Sequence, residues 1–260
     1  MRIVAFPHSV LTGLARPGKR IWNWPVGIRT ALALPSSPSL RLVALSQTIY
    51  QAITEEVNPA PWRRLDHPYL FDRHLDTNPN RSNGRLRIGL FGSLRTPLSN
   101  YCRLLAAVAM AGAQAEFVMV GHIRASARQH QALSPYLKGA STVPISYSRL
   151  EELASGVDYV LQIPDPIQHR YAVSSSLLDA FNHGKPGFFL LSPLLEEYRA
   201  RFGDFGYFCQ SLDALAEIIA EASRKLLGTA HSSQRLAIAR ARPHFEPRAL
   251  AGQLRAVVET

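Results

Sequence analysis

The chain has 260 residues, 47% of them apolar and 18% charged, the balance of a folded globular protein and not of a disordered one. Its only two cysteines, Cys102 and Cys209, exclude a disulfide framework and a cysteine metal cluster, and point to a reducing compartment. Lysine plus arginine outnumber aspartate plus glutamate by 29 to 19; the net +10 suits polyanionic partners such as phosphorylated ligands, an anionic bilayer or nucleic acid.

Met1 to Phe6 reads as a short strand, and Pro7 and His8 stand where a signal peptide would carry an unbroken apolar run. No stretch reaches the ~20 apolar residues that span a bilayer. The expectation is a cytoplasmic protein, soluble or peripheral at the inner face of the membrane. Arg16, Lys19 and Arg20 lie beside Trp22 and Trp24. Such a segment suits a membrane interface, where indoles sit at headgroup level, or else a partly buried tryptophan pair with solvated arginines. Val26 to Leu34 is an apolar helix or strand between Pro25 and Pro35. Leu42 to Leu45 is strand-like, and Ser46 is placed to cap a helix through Ile49, Ala52 and Ile53.

Prolines and then the turn-rich run DTNPNRSNG, Asp76 to Gly84, mark the best boundary in the chain. The division expected is a short amino-terminal region over 1–75, a linker over 76–85 and a regular domain over 86–260.

In that domain Leu86 to Phe91 reads as a strand, Leu98 to Ala111 as a helix and Phe117 to Val120 as a strand. A short helix spans Leu150 to Leu153, with Ser148 and Glu151 spaced as a capping box. Tyr159 to Ile163 is a further strand. Ser174, Ser175 and Ser176 then open a helix that stops at Asn182-His183-Gly184, and Phe188 to Leu191 forms a buried strand. Ser211 caps a helix whose apolar face is Leu212, Leu215, Ile218 and Ile219. Strands alternating with helices predict an α/β fold, a Rossmann-like parallel sheet flanked by helices.

Two stretches carry anion-binding features. After the first strand of this domain, Gly92 permits close backbone approach, Arg95 offers a bidentate fork for phosphate, and Ser99 and Asn100 lie near a helix start. The Ser174–Ser176 helix start supplies hydroxyls and free N–H groups, with Asp179 one turn in, where a carboxylate can take sugar or ribose hydroxyls. In open parallel sheets ligands bind beyond the carboxyl ends of strands, so both stretches face one edge. Asp165, His169, Arg170 and His122 also lie where they could approach such a ligand. No metal triad, Ser-His-Asp order or P-loop is present, and no nucleic-acid motif accompanies the basic charge.

FGSLRTPLSN, Phe91 to Asn100, resembles the phosphate loop in the carboxyl domain of GT-B-fold glycosyltransferases, especially the retaining family-four type. Phe117 to Gly121, Ile145 to Leu153, Val157 to Pro164 and Ser175 to Pro186 are similar to further family segments in the same order. Phe245 to Val258 resembles the closing helix, and His67-Pro68-Tyr69 the link between domains. The resemblance implies sugar transfer from a nucleotide-diphosphate donor to a saccharide, lipid-linked or protein acceptor. It requires no cofactor and no metal.

Residue by residue, it implies that Gly92, Ser93 and Arg95 bind the diphosphate. The Ser174–Ser176 amides lie on the donor's other side, and Asp179, the second acid of the family's E-x7-E pair, holds ribose. His8, after the first strand, falls where the family's amino domain presents acceptor-site groups. Two positions depart from the pattern: the first glutamate of the pair falls on Tyr171, and the loop lysine on Ser99. A non-catalytic protein of the same fold, binding a nucleotide sugar or a partner protein, is the alternative that these departures leave open. An acid recruited to the place of Tyr171 would decide against it.

Overall fold

The computed structural model describes residues 3–7, 11, 14, 32, 39–57, 62–75, 84–94, 98–167, 169–225 and 228–259. His8, Arg95, the Arg16–Trp24 segment and most of Val26 to Leu34 lie outside them.

Two parallel sheets organise the chain. The smaller has the order β1 (Ile3–Ala5), β2 (Leu40–Ala44), β3 (Trp62–Arg64), with α1 (Gln47–Thr54) between the last two. As expected, Ser46 caps α1, its hydroxyl accepting from Ile49 N at 3.0 Å.

The larger sheet is built from β4 (Leu86–Leu94), β5 (Ala115–Ile123), β6 (Leu137–Lys138), β7 (Tyr159–Gln162), β8 (Gly187–Leu190) and β9 (Gly206–Cys209). Its order is β6-β5-β4-β7-β8-β9, and every pair is parallel. The connecting helices are α2 (Leu98–Met110), α3 (Ala127–Leu133), α4 (Tyr147–Ser155), α5 (Ser175–Asn182), α6 (Pro193–Phe202) and α7 (Leu212–Lys225). α8 (Thr229–Ala241), a 3-10 turn at Arg242–Phe245 and α9 (Pro247–Glu259) close the described chain.

Alternation along the central strands explains why helices cover both faces. Ile88, Leu90, Tyr159, Leu161 and Phe188 point to one side, where Leu104 and Leu105 of α2 and Leu215 and Ile219 of α7 bury them. Val160 and Phe189 point to the other, against Leu177, Leu178 and Phe181 of α5. The four predicted strands thus lie side by side in one parallel sheet. One local expectation is corrected: the cap of α4 is Ser146, accepting from Arg149 N at 3.3 Å, and Ser148 lies inside the helix. Glu151 is drawn away from the helix start by Arg73 and by His183.

The smaller sheet has no separate core. Val43, Ala44, Ile49, Ile53 and Trp62 share one apolar cluster with Leu177, Phe181, Leu195, Tyr198 and Phe245. Polar contacts bolt the two regions together. Arg201 of α6 grips the buried Asp66 carboxylate with bonds of 3.0 and 2.6 Å. Glu197, one turn earlier, takes the free end of α1, accepting from Thr48 N at 2.8 Å and Thr48 Oγ1 at 2.7 Å.

Candidate functional site

β4 and β5 run in register to their last residues, which pairs Gly92 with Gly121 and Ser93 with His122. Gly92 has φ +82° and Gly121 φ +147°, conformations that suit glycine. A methyl group on Gly121 would run into the Gly92 carbonyl oxygen, so the two strands reach this close approach only because Gly121 lacks a side chain. On the other flank, a Cβ at Gly92 would lie 3.4 Å from Ser176 Cβ. The end of β4 and the start of α5 therefore meet.

The helix start carries free donors. Ser174 is the N-cap of α5, yet its side chain makes no capping bond; its Oγ pairs instead with Ser176 Oγ at 2.7 Å. Ser175 is exposed. The Leu177 N–H donates to the Ser174 carbonyl at 3.1 Å, which leaves the Ser175 and Ser176 N–H groups at the positive end of the helix dipole. Ser93 Oγ and His122 Nε2 lie 3.3 Å apart at the mouth of the same edge. Ser99 and Asn100 occupy the first turn of α2.

Ser176, Asp179 and His183 follow the spacing of one helical face. Both ends of that face lie on β4, with Ser176 at Gly92 and the His183 ring edge-on to Phe91 at 6.1 Å. Asp179 sits between them and accepts from Tyr69 Oη at 2.6 Å. Burial raises the Asp179 carboxyl above its ordinary range, while the Tyr69 bond and the charge of His67 oppose the rise. Burial and then Asp179 push the Tyr69 phenol far up, so it remains a donor.

Tyr69 lies on a strap, residues 65–75, that crosses from β3 over α5 and α4. Asp72 of the strap accepts from Asn182 Nδ2 at 2.6 Å and from Tyr147 Oη at 3.2 Å, and Arg73 pairs with Glu151. His183 lies 3.2 Å from Glu151, but burial and the charges of Arg73 and Lys185 lower its pKa to about 4, so it is neutral at pH 7.

Tyr171 and Arg170 are met by acids from the amino-terminal region. Tyr171 is buried, and its hydroxyl donates to Glu56, just beyond α1; Arg170 reaches Glu55 and Glu56 at 3.5 Å each. Asp165 and His169 close a local turn, with Asp165 N to His169 Nδ1 at 2.8 Å and Ile167 N to Asp165 Oδ1 at 2.8 Å. Sequence reasoning missed Glu56 and the role of Tyr69. The His-Pro-Tyr link was a signal for the strap, but no local pattern ties position 69 to 179.

No protein-family model and no curated protein sequence matches the chain. Solved structures do match its fold. A glycosyltransferase from Rickettsia africae superposes with TM-score 0.63 at 13% identity, over 92% of this chain and 68% of that one. Sucrose-phosphate synthase from Thermosynechococcus elongatus gives 0.63 at 11% identity, over 98% and 67%. TarM of S. aureus, in a complex containing UDP, gives 0.59 at 10%, over 85% and 44%. The chain therefore spans about half to two thirds of the length of these enzymes. Its fold is the GT-B glycosyltransferase fold.

Proposed function

We propose that this chain transfers a sugar from a nucleotide-diphosphate donor to a saccharide, lipid-linked or protein acceptor. The observation that carries the reading is the meeting of Gly92 with the uncapped start of α5 at the carboxyl edge of the sheet. A diphosphate there would take α5 amide donors, with Arg95 as the full positive charge and Asp179 turned to the ribose. A departing nucleoside diphosphate gains negative charge as the glycosidic bond breaks. Fixed N–H groups and a guanidinium stabilise that charge in the transition state more than in the intact donor. The UDP bound by TarM, a protein of the same fold, supports this class of ligand.

In this reading Glu56, whose carboxylate accepts from the Tyr171 hydroxyl, would stand in for the family's first acid. The acceptor would enter from the amino-terminal side, where the resemblance sets His8. Among the described residues no helix is long and apolar enough to cross a membrane. A peripheral membrane contact in this reading would rest on the Arg16–Trp24 segment.

A thermal-shift screen of UDP, GDP, ADP and their sugar conjugates tests the reading. The expected result is a melting temperature that rises with one nucleotide diphosphate and more with its sugar conjugate, through linkage of binding to folding. No shift with any of them at millimolar concentration would contradict it.

A further inference from the structure

Tyr69 belongs to neither sheet, yet it is held from several directions. Its backbone N–H donates to the Phe245 carbonyl at 2.8 Å, and its ring centroid lies 4.8 Å from that of Phe71. The Arg242 guanidinium covers Phe71 at 4.7 Å, and Arg242 Nη2 donates to the Arg73 carbonyl at 2.6 Å. Asp72 and Arg73 tie the next turn of the strap to α5 and α4, as described above. With its backbone pinned and its ring packed, the phenol has one direction left, and that direction ends on Asp179 Oδ1.

Asp179 is thereby used on one oxygen. Among the described residues, Oδ2 accepts no hydrogen bond. A carboxylate fixed through one oxygen presents the other at a set angle, whereas a free carboxylate would sample several rotamers. We propose that Tyr69 is a positioning residue for the nucleoside of the donor: its phenol turns Asp179 so that Oδ2 meets a ribose hydroxyl. The proposal rests on the nucleotide-donor reading above. It makes ribose recognition a joint property of the two regions, since the acid comes from α5 and its orienting donor from the strap.

The phenol also serves the charge state. Burial opposes ionisation of Asp179, and a short bond from a neutral donor favours the ionised form that a ribose hydroxyl donates to.

Calorimetry on Tyr69→Phe tests the proposal, using the tightest-binding of UDP, GDP and ADP, its 2′-deoxy and 3′-deoxy counterparts, and pyrophosphate. The phenylalanine keeps the packing against Phe71 and removes only the donor. The expected result is about five- to tenfold weaker binding of the ribonucleotide, less than the loss of a whole hydrogen bond to a charged group, because Asp179 stays and loses only its fixed orientation. Pyrophosphate and one of the two deoxynucleotides should bind as they do to wild type. The preference for ribose over that deoxyribose should therefore shrink, which a merely structural defect would not cause. Asp179→Asn, which keeps an acceptor for Tyr69 but loses the charge, should lose the same preference. Equal weakening of all four ligands, or an unchanged preference in Tyr69→Phe, would overturn the proposal while leaving the donor reading in place. Wild type that binds none of the nucleotides would overturn both.

Discussion

The two sheets are held in different ways. The six-stranded sheet buries both faces under its own helices and has an apolar cluster that owes nothing to residues before Leu86. The three-stranded sheet lies in a cluster shared with α5, α6 and the 3-10 turn, and is fastened by Asp66–Arg201 and by Glu197 on α1. The difference teaches where coupling resides. The larger region builds the edge proposed for the diphosphate alone, while Tyr69 and Glu56, the partners of Asp179 and Tyr171, arrive from the smaller region.

The largest effect should come from cutting the shared cluster. Phe181 is fully buried and packs edge-on to Phe205 at 5.1 Å and to Phe245 at 6.4 Å. Phe181→Ala should cost about 3–5 kcal/mol. Denaturant unfolding should still show one transition for both regions, because the second face of the larger sheet lies in the same cluster as the smaller sheet. Two separated transitions would break the comparison.

Next in size is acid lability. Burial lowers the pKa values of His183 and His231 from 6.5 to about 4, with nearby positive charge adding to the effect. The unfolded chain binds more protons than the folded one between these values, so stability present above pH 6.5 is lost as pH falls toward 4. The loss should be up to about 3 kcal/mol for each histidine. Melting temperatures from pH 7 to pH 4 check this; a flat profile would contradict it.

Asp66→Ala should cost about 2 kcal/mol, somewhat less than breaking a fully buried pair, because Arg201 keeps Glu197 and partial contact with water. Its sharper readout is local. Limited proteolysis within 62–75 should quicken while the six-stranded half stays protected.

A smaller effect has the opposite sign. The raised carboxyl of Asp179 means that its ionisation opposes folding above its ordinary value of 3.8. Asp179→Asn should therefore raise the melting temperature slightly at pH 7, and the gain should vanish below about pH 3, where the acid is protonated in both states. A residue that weakens the fold while serving a ligand behaves in this way.

Much of the larger region was legible because its physics is local. Apolar runs at 86–91, 117–120, 159–163 and 188–191, short and alternating with helical stretches, read as buried strands, and glycine before a helix marked the edge where they end. The strands missed were the short outer ones: β3, β6 and β9 have two to four residues each, too few for periodicity to show. At α4 the cap is Ser146, two residues before the expected Ser148, and the glutamate that pointed to Ser148 serves Arg73 and His183 instead. The site was half legible for the same reason. Gly92, the serine triplet and Asp179 announce themselves by type and spacing. Tyr69 and Asp179 are 110 residues apart, and Tyr171 and Glu56 are 115 apart. Only folding brings such pairs together.

The central claim is that the end of β4 and the start of α5 hold one diphosphate. Titration calorimetry of wild type, Arg95→Ala and Asp179→Ala with a nucleoside diphosphate and with pyrophosphate tests it most directly. Arg95→Ala should weaken both ligands roughly ten- to a hundredfold, the loss of one or two charge-assisted hydrogen bonds. Asp179→Ala should weaken the nucleoside diphosphate and barely change pyrophosphate, because only the former carries ribose. Binding to Arg95→Ala as tight as to wild type, or equal weakening of both ligands by Asp179→Ala, would contradict the account.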